Sequence, residues 1–214
     1  MGKWNPEPLE TKRLKALPPK VQQKLFGKTG NYARYGVNGE GSCFFHSVCA
    51  ATEPSYLDMS VSEQRSHGQK FRCMLGGDIA DDEWGGFVRK HKVRGGTATK
   101  KGVDMGKTFC SPSTWADEAM IKYTSEKLGL NILFVNVDGR GMYCGVHGKP
   151  GDPTMVILWL DEAHFEPLCR VHRFVRDGGG DKDNKAEVQF LFDAQQDADV
   201  VGSVMGTYES QCKV

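Results

Sequence analysis

Two stretches in the second half of the chain, residues 130–137 and 154–160, are almost continuously apolar and rich in branched side chains. A strand with one face in water would alternate, so these predict strands in the interior of a sheet. The text before them has a different period. Phe44, Val48 and Ala51 recur at helical spacing, and Ser60 with Glu63 three residues on has the form of a capping box, opening a helix that carries Val61, Phe71, Met74 and Leu75 as far as Gly76 and Gly77. Asp81, Asp82 and Glu83 suit the start of a short helix bearing Trp84, Phe87 and Val88. Thr114 with Asp117 repeats the capping signal, and Trp115, Ala116, Ala119, Met120 and Tyr123 make a stripe expected in the core, with Gly129 as the stop. Beyond the first strand, Asp138 and Gly139 should turn the chain into residues 142–144, and residues 165–171 should return beside the second. Helical signals first and strands late predict an α+β domain with a small sheet packed between helices.

The two ends read differently. Residues 1–30 carry Pro6, Pro8, Pro18 and Pro19 among many basic side chains, which predicts an arm whose removal leaves the fold and most of the activity intact. Residues 177–184, with three successive glycines, predict a linker or exposed loop. The expected organisation is an arm at 1–30, a catalytic domain at 31–175 and an extension at 176–214, in which residues 188–192 form one strand and the last residues fray.

Composition removes several classes of function. With 28 basic and 27 acidic residues the formal net charge is +1, so no global field draws the chain to nucleic acid or a membrane surface. No run approaches the roughly 20 apolar residues of a membrane span, and the N-terminus lacks a secretory signal; the expectation is a cytoplasmic protein, in the host cytoplasm if the chain is viral. The seven cysteines include no Cys-x-x-Cys pair, which argues for reduced, mostly buried thiols and against a disulfide scaffold or zinc cradle. The basic run at residues 89–94, with Lys100 and Lys101, has no interleaved aromatics to stack bases and reads as a solvated loop.

One cysteine has a setting for chemistry. Cys43 follows Asn38, Gly39, Glu40, Gly41 and Ser42, a stretch able to make a tight turn, and stands at the start of the predicted helix. Backbone N–H groups and the positive end of a helix dipole favour a thiolate there, and the N–H groups of Gly41 and Ser42 are candidates for an oxyanion hole. A base is available in His164, between the predicted strands. Glu166, two residues on, lies on the same side of an extended chain and can orient the imidazole.

Residues 39–48, Gly-Glu-Gly-Ser-Cys-Phe-Phe-His-Ser-Val, resemble the nucleophile motif of the ovarian tumour (OTU) family of cysteine proteases, Asp-Gly-x-Cys followed by two apolar or aromatic residues. His164, Phe165 and Glu166 resemble the family's second motif, a histidine followed by an aromatic and a polar or acidic residue. The resemblance spans residues 35–171, and the wording around Cys43 is most similar to members from large DNA viruses. It implies an OTU-like, papain-related fold, with Cys43 as nucleophile, His164 as general base and then acid, Glu166 as third member and Phe165 beside the substrate. Family members usually carry Asp at the position of Glu40, where the loop supports the oxyanion hole and sometimes the triad; Glu40 and Glu166 both depart from the common residues. The implied substrate is ubiquitin or a ubiquitin-like modifier, cut after its C-terminal glycine, with no metal or organic cofactor. A catalytically weak module that binds ubiquitin is the alternative.

Overall fold

The computed structural model describes residues 4, 6–77, 79–92, 96–99, 104–136, 148–149, 151–160, 163–173 and 186–212. The second apolar stretch, β4 (Thr154–Leu160), is buried along its whole length. It pairs in parallel with β3 (Asn131–Asn136), from Asn131 opposite Thr154 to Asn136 opposite Trp159. On its other side it pairs antiparallel with β5 (His164–Arg173), where Leu160 faces His164. Side chains alternate across this sheet into two cores. Ile132, Phe134, Met155, Ile157 and Trp159 enter one, while Leu133, Val135, Val156, Leu158 and Leu160 enter the other. Both faces are covered, which is why the strands read as unbroken apolar runs. The result is the expected α+β architecture with the sheet between helices.

The first core is closed by α2 (Cys43–Thr52), α3 (Val61–Gly77), α4 (Asp81–His91), α5 (Met105–Cys110) and α6 (Glu118–Leu128). The capping box at the start of α3 forms as read: Ser60 N–H donates to Glu63 Oε2 at 2.7 Å and Glu63 N–H to Ser60 Oγ at 3.3 Å. The face that α3 buries differs from the expected one. Gln64, Gly68, Phe71, Arg72, Leu75 and Gly76 are buried, whereas Val61 and Met74 are exposed. Gly76 permits the close approach of α5, because a Cβ there would run into the Phe109 side chain. The cap of α6 is Asp117, whose Oδ1 accepts from Met120 N–H at 3.0 Å, rather than Thr114. That later start leaves Trp115 outside the helix and 51% exposed, against the expectation that it is core.

The second core overturns the reading of the N-terminal segment. β1 (Leu14–Ala16) pairs antiparallel with β2 (Tyr32–Tyr35), and β2 pairs with β5, so the sheet runs β1-β2-β5-β4-β3. Pro18 and Pro19 do not break an arm. They start α1 (Pro19–Phe26), Pro19 at the first helical position where its missing N–H costs nothing. Leu17, Leu25 and Phe26 are buried with Val200 and Val204 of α7 (Ala198–Cys212), and Phe26 stacks on Tyr32 with ring centroids 4.0 Å apart. The chain end expected to fray is thus helical through Cys212. Residues 188–192 split into β6 (Glu187–Gln189), paired with β5, and β7 (Leu191–Phe192), paired with β4.

The cysteine expectation is also corrected. Cys73 and Cys110 are joined by a disulfide, their Cα atoms 4.2 Å apart, which ties α3 to α5. Their spacing of 37 residues carries no local signal, and only the packing of the two helices brings them together. Cys43, Cys49 and Cys169 are free and buried, as expected. Among the described residues no helix is long and apolar enough to cross a membrane. The turn at Asp138 and Gly139, the strand at 142–144, the glycine-rich stretch at 177–184, and Arg94, Lys100 and Lys101 of the basic run lie outside the described residues.

Candidate active site

The turn before α2 has the backbone its glycines suggested. Glu40 and Gly41 adopt positive φ, 59° and 77°. Gly41 is required twice over, since a Cβ would be strained at this φ and would run into the Pro112 carbonyl. Ser42 N–H donates to Gly39 O at 3.2 Å, so of the two expected oxyanion donors Ser42 is committed to closing the turn. Cys43 follows as the first residue of α2.

The opposite wall is the start of β5. Ser47, one turn beyond the cysteine, donates its hydroxyl to Cys43 O at 2.8 Å and approaches Phe165 O at 3.4 Å. The Phe165 backbone reaches the Cys43 thiol itself. The residue before it is His164, so the packing of α2 on β5 brings the predicted nucleophile to within one residue, along the backbone, of the predicted base. Phe165 does not line a substrate surface. Its ring points to the other side of β5 from its neighbours, 3% exposed, and packs 5.4 Å from Phe134 and 6.3 Å from Phe44, centroid to centroid.

The two candidate acids are separated by their surroundings. Glu166 is fully buried; its Oε1 lies 3.8 Å from His164 Nε2, too far for a hydrogen bond, and that buried nitrogen has no hydrogen-bond partner. Glu40 Oε1 instead lies 3.2 Å from Arg65 of α3, with its side chain 71% exposed. The carboxylate beside the imidazole is therefore Glu166.

Electrostatics at the site departs from the expectation of a stabilised thiolate. Burial pushes the Cys43 thiol up to about 11, against opposing contributions from the Phe165 backbone and the Arg72 charge. Burial, with Arg34 adding to it, lowers His164 to about 4. A helix dipole contributes at most ~2 kcal/mol, little more than one pKa unit, whereas full burial shifts a group by up to ~3–5 units. At neutral pH the thiol and the imidazole are thus both uncharged in the free protein. An imidazole in that state can accept the thiol proton as attack begins.

Two arginines complete the site and were not singled out by sequence reasoning. Arg72, on the buried face of α3, donates from Nη1 to Ser42 Oγ at 2.8 Å, from Nη2 to Thr114 O at 2.8 Å and from Nε to Phe109 O, with its guanidinium 4.6 Å from the Phe45 ring centroid. It joins the nucleophile turn to the loop after α5. A charged residue four positions after buried Gly68 and eight after Gln64, on one helix face, was the available signal. Arg34 of β2 donates from Nη1 to Glu166 Oε2 at 3.0 Å. His46 is structural as read: buried, with Nδ1 2.7 Å from the Tyr56 hydroxyl.

Among the described residues one group could approach a metal, Cys49, Glu53 and His67, whose ligand atoms lie within 4.8 Å of one another. Glu53 Oε2 is 2.6 Å from His67 Nε2, and that contact accounts for the group as a clamp between the end of α2 and α3. A cleft of about 540 Å³ at the far end of β5, lined by Lys28, Arg170 and Asp197 among others, includes neither Cys43 nor His164.

No family model matches the sequence, and no curated protein matches it. Solved structures do. An ovarian tumour (OTU) domain in complex with ubiquitin is similar at a TM-score of 0.49 and 16% identity, covering 83% of this chain and 84% of that one. The Hazara virus OTU bound to ubiquitin gives 0.37 and 16%, covering 66% and 83%. The viral OTU domain protease from Dera Ghazi Khan virus gives 0.38 and 19%, covering 64% and 80%.

Proposed function

We propose that the chain is a thiol-dependent deubiquitinase of OTU type, hydrolysing the bond after the C-terminal glycine of ubiquitin or a ubiquitin-like modifier. The observation that carries this reading is the junction of α2 and β5: Cys43 heads a helix behind a left-handed glycine turn, and the backbone of Phe165, the residue after His164, stands against its thiol. In this mechanism His164 takes the thiol proton as sulfur attacks the glycyl carbonyl, then returns it to the departing amine. The thioester is released by water, which His164 activates in turn. Glu166 steadies the imidazolium, for which its side chain must close the 3.8 Å gap to Nε2. The oxyanion is received by the backbone N–H of Gly41, since that of Ser42 is used in closing the turn.

A second reading, a catalytically weak module that binds the modifier, is supported by the same gap and by a nucleophile only 4% exposed. Ubiquitin carrying a C-terminal electrophile separates the two. The protease reading expects a covalent adduct, mapped by mass spectrometry to Cys43 and absent in Cys43→Ala. Adduct on Cys49 or Cys169 would refute the site, and reversible binding without adduct would leave the module reading.

A further inference from the structure

Glu166 holds a carboxyl group at the centre of the fold with no access to water. Its two oxygens have different partners. Oε2 accepts from Arg34, which is itself almost fully buried and whose Nη1 also donates to Glu7 O at 2.8 Å. Oε1 accepts from the backbone N–H of Leu9 at 2.5 Å and is the oxygen that faces His164. Residues 7–9 therefore lie as a strap over the back of the site. They continue into contacts with the strand and turn that carry it: Lys12 N–H donates to Gly36 O at 2.8 Å, and the Thr11 hydroxyl lies 3.3 Å from Asn38 Oδ1.

We propose that Arg34 and the Leu9 N–H are positioning groups for His164, acting through Glu166: together they keep its carboxylate charged and aim one oxygen at the imidazole. The inference rests on the cysteine-protease reading above. Burial favours the neutral form of Glu166 and raises its pKa, with the Leu9 N–H and then Arg34 working in the opposite direction. A neutral acid next to His164 could not steady the imidazolium that forms as the thiol is deprotonated. By engaging the far oxygen, Arg34 supplies the countercharge without occupying the near one. The other groups facing Glu166 are few. Lys15 of β1 adds a weaker positive field, His164 lies on its own strand, and opposite it on β4 stands apolar Leu158.

The test is a mutant cycle read with ubiquitin bearing a C-terminal fluorogenic amide. Arg34→Met should lower kcat about 10-fold or more at neutral pH with little change in KM, and Arg34→Lys should recover part of the loss. The acid limb of the kcat/KM profile should move up by about one unit or more in Arg34→Met, because a carboxyl without its cation ionises later. In the Glu166→Gln background the same substitution should cost little further, since its effect runs through the carboxylate. Losses that multiply, or a fall in rate with an unmoved pH profile, would overturn the proposal and leave Arg34 a purely structural residue. If Arg34→Met does not fold, the chain shortened to begin at Glu10 tests the strap alone: a several-fold loss of kcat is expected, and an unchanged or raised kcat overturns it. If the wild type does not react with ubiquitin at all, the protease reading fails, and the His164 titration followed by NMR still decides the positioning. Removing Arg34 lifts its direct depression of the imidazole pKa, but a carboxyl that has lost its charge no longer favours the imidazolium, so a net fall is expected; a raised or unmoved titration would refute it.

Discussion

Replacing Arg72 tests how the nucleophile turn is held. Its guanidinium, itself buried, bonds to Ser42 Oγ, Phe109 O and the carbonyl of half-buried Thr114, and lies over Phe45. Hydrogen bonds involving a charged group contribute ~1.5–3 kcal/mol each, and a desolvated cation–π contact about 2 kcal/mol. Their sum overstates the effect, because burying the charge is itself costly; burial lowers the Arg72 pKa to about 10. Arg72→Met keeps most of the volume and relieves that cost, but leaves two backbone carbonyls and a serine hydroxyl without a donor. A net loss of ~3–4 kcal/mol follows, a large part of the ~5–15 kcal/mol that holds a domain together. Urea unfolding followed by tryptophan fluorescence reads it directly. A second consequence is local. Arg72 lowers the Cys43 thiol pKa, so its loss should push the pH dependence of Cys43 alkylation upward. A midpoint equivalent to less than about 1 kcal/mol of change, with an unmoved alkylation profile, would refute the account. Arg72→Lys should fall between, since one ammonium cannot span three separated acceptors.

Deleting residues 1–30 should cost the fold rather than spare it, because Leu17, Leu25 and Phe26 leave the second core and β2 loses its neighbour β1; a truncated chain with a melting temperature within a few degrees of the full one would contradict this. His46 and His164 both fall to about 4, from 6.5 when unfolded, so their neutral forms favour the native state above pH 6.5. That stability, about 3 kcal/mol per histidine, is lost as pH drops from 6.5 toward 4. Glu166, whose pKa is raised, gains at acid pH and offsets part of it. Urea midpoints across this range should show the decline, and His46→Gln should flatten it. Trp115→Ala should change stability by less than about 0.5 kcal/mol, as suits an exposed side chain. Trp115 Cδ1 would lie 3.4 Å from a Cβ at Gly41, so the same change should raise KM for ubiquitin substrates; an unaltered KM would show that the indole does not meet the substrate.

The sequence by itself determined the features that rest on local rules. The apolar runs of β3 and β4, the capping box of α3, Gly129 at the end of α6 and the glycine turn before Cys43 stand where spacing and composition put them. Each depends on neighbours within a few residues, and a periodicity or a left-handed backbone is visible in the text. Tertiary structure decided the rest. Whether Pro18 and Pro19 end structure or begin a helix depends on the second core they face, and that core is completed by Val200 and Val204 from the other end of the chain. The Cys73–Cys110 bond and Arg72 come from the packing of α3 on α5. Around Cys43 the sequence argued for a thiolate, yet the folded site buries the sulfur, and desolvation outweighs the helix dipole. Glu166 was legible as a neighbour of His164 because strand side chains repeat every second residue. Its dependence on Arg34 and on Leu9, 157 residues away along the chain, exists only once β2 and the strap lie against β5.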